Sequence, residues 1–540
     1  MLKEKPYRHL NALISKKENS KLPFDDYLSS EDKLIKIELS KEHDIEGFLY
    51  LKEQQEKRPR WTDLADELAG TILNKISNKS SSAVLLFRLE ERVVALTFGY
   101  GRFILKTSLF EQDFGLKTAL NTLDHQSLRG VDLHTLEDQP IQKKSQASRE
   151  SEASVFGIDI FKDILRSVTG SPRKDINYRN ITGGDAMYSF GTELHAADLP
   201  SIAQELINFY EKDLYKAEFS WVDNVRKIKE PKEIESLDNS LILELKKAEP
   251  EITINIPEIM NWDSVEGFSF TRTKKDISPT IDKEKYFKNL DKKSLTIDSL
   301  KRDKVFVTDI DKEEKNYKVY SCIYFELNDE DTRHILFSGT WYEVENSFIK
   351  IIDTALNEIE IADIKFPTIE FWYEGRKTKI ETEGDYNIRT AKALGYHLLD
   401  KKLVKCSKTT SPIELCDLLT PEKQFIHAKH KKGGSAGLSH LFAQGAVAAE
   451  VMLSDKSFRK AARNVIRKID KNAANIIPIE NLNSKNYEII FLVLGDKSEN
   501  VKEKLPFFSK VNLFRAYENL SQRGFTVKIA GAEKLLKAQP

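Results

Sequence analysis

Cysteine is scarce in this 540-residue chain. Cys322, Cys406 and Cys416 are all there is, too few and too scattered for a disulfide framework or a zinc site, which fits a reducing compartment. No apolar run is long enough to predict a transmembrane helix. The opening MLKEKPYRHLNALISKKENS has no apolar core of a signal peptide, so the expected location is the cytoplasm, with no membrane partner. Net charge is lacking too: 84 Lys+Arg stand against 85 Asp+Glu, and any attraction for a polyanion must be local. The glycine-rich FGYGRF (98–103) does not end in the Gly-Lys-Ser/Thr of a P-loop. It reads as a turn between strands. No internal repeat is visible.

What is present is a soluble, globular composition, 40% hydrophobic and 31% charged, long enough for about two to four domains. The fold class expected is α/β, mixed α+β overall. Residues 1–135 read as an N-terminal α/β domain, with strands at 34–39 and 46–52, a helix over 61–76 with Trp61, Leu64, Leu68 and Ile72 on one side, and strands through 82–106. Residues 136–275 read as a linker and a mostly helical or mixed region: a polar loop at 137–154, a helix at 161–168, and a long amphipathic helix at 199–216. Residues 276–380 read as β-rich, from VFVTDI to FIKII. Residues 381–540 change character again. A helix (383–395) precedes three strand-like runs (396–406, 413–420, 425–431), helices over 438–453 and 457–470, the buried-type strand YEIIFLVLGD, a last helix, and the strand FTVKIAG.

The stretch QFIHAKHKKGGSAGLSHLFAQG (424–445) is the least ordinary in the chain. Strand alternation puts His427 and Lys429 on one face. A basic cluster, two glycines and a helix opening with Ser435, Ser439 and His440 follow. The bland reading is a solvated loop capping a helix; the functional one is a phosphate cradle, with Lys429, Lys431 and Lys432 close by. Between Lys423 and Lys471 eleven Lys/Arg face only Glu450, Asp455 and Asp470, a local excess that favours a polyanion surface. His440 beside an apolar helix face reads as a packing or capping residue.

The order of elements after residue 380 resembles the restriction-endonuclease-like fold of the PD-(D/E)XK nuclease superfamily. In that superfamily an Asp sits near the end of the second core strand, and an acid-x-Lys triplet lies roughly 10–20 residues on. Here Asp417 closes IELCDLL, and His427-Ala428-Lys429 stands in the triplet position ten residues later. The resemblance implies Asp417, His427 and Lys429 as catalytic residues, and Glu383, Asp417 and Glu414 as ligands of Mg²⁺ or Mn²⁺. Glu383 matches the superfamily's helical Glu, with Glu381 and Asp385 as alternatives, and Gln444 matches a glutamine on the following helix. Lys431, Lys432, Ser435, Ser439, His440 and Gln444 would meet nucleic acid. His427 departs from the pattern: imidazole is a poor ligand for Mg²⁺ and a better one for Mn²⁺, Zn²⁺ or Ni²⁺. It leaves open a ligand, a general base, or a site that binds without cutting.

The motifs FGYGRFIL, DFGLKTALN, FSWVDNV, GTWYEV, EGDYN, IELCDLL, IHAKHK and LSHLFAQG resemble a sporadically distributed bacterial family of unknown function. Such patchy distribution is similar to that of genes for defence against phages and plasmids. The expected function is a nucleic-acid-binding defence protein with a metal-dependent nuclease domain acting on DNA or RNA. The alternative is a non-catalytic binding, sensor or scaffold subunit. Either would work with a second copy of the chain or a defence-system partner.

Overall fold

The computed structural model describes all residues except 1–4, 30–32, 41–44, 53–55, 57, 59–60, 73–75, 77–78, 80, 137–140, 249, 258–264, 273–276, 310–313, 329–331, 375–376, 406–411, 432–434 and 538–540. The fold is mixed α/β. Two compact units divide the chain, one of residues 1–135 and 142–222, the other of 136–141 and 223–540. Among the described residues no helix is long and apolar enough to cross a membrane.

The first unit is built on a ten-stranded sheet. Its order is Leu34–Glu38, Gly47–Lys52, Ser82–Leu89, Arg92–Gly99, Tyr7–Ile14, Met187–Glu193, Arg179–Gly184, Asp163–Pro172, Leu123–Thr135 and Ile141–Ser151. The central strands are apolar at consecutive positions, so both faces are buried. Leu85 and Phe87 join one core cluster with the helices Phe114–Thr122 and Leu199–Glu211. Val84 and Leu86 join the other, with Phe24 and Tyr27.

Three local expectations fail here. Residues 161–168 are not helical. The strand Asp163–Pro172 buries Leu165 and Val168 between two partners, because sheet pairing overrides local helix preference. The polar 137–154 segment is not a loop: its described part contributes the strand Ile141–Ser151, polar because an edge strand stays largely solvated. After Gly99 the chain makes a tight turn, Gly101–Ile104, rather than a further strand.

In the second unit, residues 225–344 carry a five-stranded and a three-stranded antiparallel sheet. The FIKII run, expected as a strand, lies in the helix Asn346–Asn357. The Glu345 carboxylate accepts the N–H groups of Ser347 and Phe348, and Phe348, Ile349, Ile352 and Leu356 are buried at helical spacing.

The C-terminal part of this unit positions the site. Its elements are β1 (Ile369–Glu374), β2 (Lys377–Ile380), α1 (Glu383–Leu394), β3 (His397–Leu398), β4 (Leu403–Val404), β5 (Ile413–Glu414), β6 (Leu418–Leu419), β7 (Gln424–His430), α2 (Ser435–Ser454), α3 (Lys456–Arg467), β8 (Glu488–Gly495), α4 (Phe507–Gln522) and β9 (Thr526–Leu536). The main sheet runs β2-β1-β9-β8-β7-β6-β3. β7, β8 and β9 are mutually parallel, while β6 runs opposite to both β7 and β3. Tyr386 and Ala391 of α1 cover one face, against Ile426, Ala428, Ile490, Leu492 and Leu494. On the other face Phe442 of α2 meets Phe491 edge-on at 5.1 Å, a geometry worth about 0.5–1.5 kcal/mol beyond burial. A Cβ at Gly445 would lie 2.5 Å from the Phe491 ring, so only glycine lets α2 sit this close.

Candidate active site

The two runs expected as single strands, 396–406 and 413–420, are each broken in the middle. Their outer pieces, β3 and β6, stay in the main sheet. Their inner pieces, β4 and β5, peel away and pair with each other, Leu403 with Glu414 and Val404 with Ile413. Lys401 turns the chain at the first break with a φ of 59°, a left-handed conformation uncommon for a side-chain-bearing residue. The Leu399 N–H donates to the Asp417 carbonyl at 2.8 Å, and the Asp417 N–H donates to the Ile426 carbonyl at 2.9 Å, closing the split.

Three carboxylates converge at this split. Oxygens of Asp400, Glu414 and Asp417 lie within 4.8 Å of one another. Asp417 Oδ2 accepts the Ala428 N–H at 2.8 Å, and Glu414 accepts the Lys401 N–H. Burial pushes Asp417 up to about 8, with repulsion from Glu414 and Asp400 adding to it and the Ala428 N–H opposing it. Burial also raises Glu414; the Lys401 N–H and Lys429 pull against it, and Asp400 adds to it. Like charges about 4 Å apart repel by roughly 4 kcal/mol near a protein surface, so the cluster holds charge only at a cost unless a cation shares it.

Lys429 stands at this edge. Its Nζ is 2.9 Å from Glu383 Oε2 at the head of α1, and Glu383 Oε1 accepts the His430 N–H at 3.1 Å. One carboxylate thus fixes both the lysine's charge and the backbone beside it. Glu383 is outside the carboxylate triad and faces the lysine. Of the two alternatives to it, Glu381 pairs with Arg389 at 2.7 Å, and Asp385 closes the α1 N-terminus with Thr382.

His427 is also outside the triad. It is 4% exposed, lies 6.2 Å from the Phe491 ring, and packs under Gly445. Burial holds the imidazole down at about 4, therefore neutral, and its Nε2 has no hydrogen-bond partner among the described residues. The residue that spacing did not single out is Asp400. The sequence around it, an acid followed by two lysines inside an apolar strand-like run, is the place where that run breaks.

Of the nucleic-acid candidates, Lys431 pairs with Asp496 at 2.7 Å, the Ser439 hydroxyl accepts from Asn512 at 2.7 Å, His440 is exposed and Gln444 half-buried on α2. Ser435 is the first residue of α2. Lys432 lies outside the described residues. Much of the expected basic excess is committed internally. Lys456 pairs with Glu480, Arg459 donates to the carbonyls of Met452, Leu453 and Ile479, and Arg463 to that of Ile477.

A family model described as "Family of unknown function (DUF6119)" matches residues 11–533. No curated protein and no solved structure matches the chain.

Proposed function

The chain belongs to this family of unknown function, and we propose from its own side chains that the C-terminal part is a divalent-cation-dependent phosphodiesterase cutting DNA or RNA. The observation that carries the reading is the convergence of Asp400, Glu414 and Asp417 at a split sheet with Lys429 alongside. Oxygens bound to one Mg²⁺ or Mn²⁺ at about 2.1 Å can be no more than about 4 Å apart, and the 4.8 Å cluster reaches that with small side-chain shifts. All three donors are hard oxygens, as those cations prefer. The order β3-β6-β7-β8-β9 with only β6 reversed, following a helix headed by an acid, supports a likeness to the PD-(D/E)XK nucleases.

When bound, such a cation supplies Lewis acidity toward a phosphate oxygen. Asp400, Glu414 and Asp417 would hold it. Lys429 would stabilise the negative charge that develops as water adds to phosphorus and the P–O ester bond breaks, and Glu383 positions that lysine. Asp400 and Glu414 supply the carboxylates that the histidine at 427 does not. Phage or plasmid nucleic acid is the substrate this reading fits in the cell. A second reading, binding without cutting, draws on the buried, neutral His427 in the triplet position.

The test is cleavage of single- and double-stranded DNA and RNA by the full chain with Mg²⁺, Mn²⁺ or EDTA. Cleavage should require the cation. Asp417→Ala should reduce it by about 10³-fold, and Lys429→Ala by about 10²-fold with substrate affinity nearly unchanged. Cation-independent cleavage, or variants that cut like the parent, would overturn the proposal. Binding that persists without any cleavage would select the second reading.

A further inference from the structure

The first unit carries a feature that its fold does not use. Tyr100 and Phe103 are 60% and 76% exposed, and Phe98 is 39% exposed. The neighbouring Ile104 and Leu105 are buried, so the same turn anchors its aliphatic residues and presents its rings.

That presentation is rigid. Gly99 has a φ of 58°, and a Cβ there would lie 2.0 Å from the Ser81 carbonyl oxygen; a Cβ at Gly101 would lie 2.0 Å from that of Ala83. Both glycines therefore press the turn onto the adjacent strand. The Tyr100 N–H donates to the Ser81 carbonyl and the Phe103 N–H to the Tyr100 carbonyl, each at 3.1 Å. The Tyr100 and Phe103 rings stand 6.5 Å apart at 30° to each other. From Phe98 to Phe110 the chain carries Arg102 and Lys106 and no acid. Both cations are exposed, and neither makes an ion pair among the described residues.

Exposed rings on a fixed backbone, beside two uncompensated cations, match a chain that offers flat π-faces and regular negative charge. We propose that the Phe98–Lys106 turn is a stacking site for the bases of single-stranded nucleic acid, with Arg102 and Lys106 on its phosphates. The proposal rests on the reading of the protein as one that acts on nucleic acid, and it names the single-stranded form as the one held. A duplex keeps its base faces covered and cannot use the rings.

The experiment measures fluorescence anisotropy of a labelled single-stranded thymidine oligomer with the full chain in EDTA, where cleavage does not contribute. The double variant Tyr100→Ala/Phe103→Ala should bind at least ~30-fold more weakly, with an unchanged melting temperature because the rings are exposed. Tyr100→Phe, which keeps the ring, should retain affinity, and Arg102→Ala should flatten the dependence of affinity on salt. Equal single-strand affinity for parent and double variant would overturn the proposal. So would a parent that binds phosphatidylcholine–phosphatidylserine vesicles but not the oligomer. The two readings fail separately. Ring-dependent binding with no cleavage by any protein rejects the phosphodiesterase and keeps the stacking site; cation-dependent cleavage with ring-independent binding does the reverse.

Discussion

Asp163 in the first unit and Asp417 in the second are carboxylates on or beside sheet strands, the first buried and the second half-buried, and their surroundings are opposite. Asp163, its side chain fully covered, has Lys143 Nζ 3.2 Å from both oxygens, the Thr135 hydroxyl at 2.6 Å and the Asp159 N–H at 3.0 Å. Every lone pair has a donor, as a buried charge requires. Asp238 in the second unit is similar, accepting from Tyr320 and Trp341. Asp417 instead has one backbone N–H and two further carboxylates for neighbours. The fold surrounds Asp163 and Asp238 with donors and Asp417 with other acids.

Substitution should pull the two aspartates in opposite directions. Asp163→Ala removes a buried acceptor from the Thr135 hydroxyl, the Asp159 N–H and the partly exposed Lys143 and should destabilise the chain by about 3 kcal/mol, at the low end for a buried pair because Lys143 is partly solvated. Asp417→Asn should stabilise the cation-free chain by about 1–2 kcal/mol at pH 8. The sign follows from the raised carboxyl: its contribution is fully present below the unfolded value near 3.8 and is lost as pH rises through about 8. Denaturant melts from pH 4 to 9 in EDTA check both. An Asp417→Asn protein less stable than the parent at pH 8 would remove the contrast.

An effect on the acid side of the curve belongs to His427. Its folded value near 4 is below the unfolded 6.5, so its contribution is present above pH 6.5 and is lost as pH falls through 4. His427→Phe should flatten the acid side of the stability curve by roughly 1–2 kcal/mol and leave cation-dependent cleavage in place, because the ring packs with Phe491. Loss of cleavage with an unchanged melt would return His427 to the chemistry.

Much of this was legible in the residues. Period-two and helical patterns located α1, β7, α2, β8 and β9, and the sequence singled out Asp417, which meets two further carboxylates, and Lys429, which pairs with Glu383. The failures have physical causes. The 161–168 run has helix-compatible residues that two neighbouring strands recruit, and the FIKII run became helical because Glu345 caps it. Asp400 escaped because its meeting with Glu414 and Asp417 depends on two strands breaking at matching points, which one run of sequence does not reveal. His427 and Lys429 alternate as expected, yet one packs into the core and the other, on a longer chain, reaches Glu383.

The most direct test of the central claim is calorimetric titration of Mn²⁺ into the cation-free parent and into Asp417→Asn at pH 7.5, repeated in two buffers of different ionisation enthalpy. The account predicts that the parent binds Mn²⁺ and releases a proton as it does so, because a carboxyl held near 8 must ionise to ligate, and that Asp417→Asn loses the binding. A parent that takes up no Mn²⁺, or a variant that binds it as well as the parent, would contradict it.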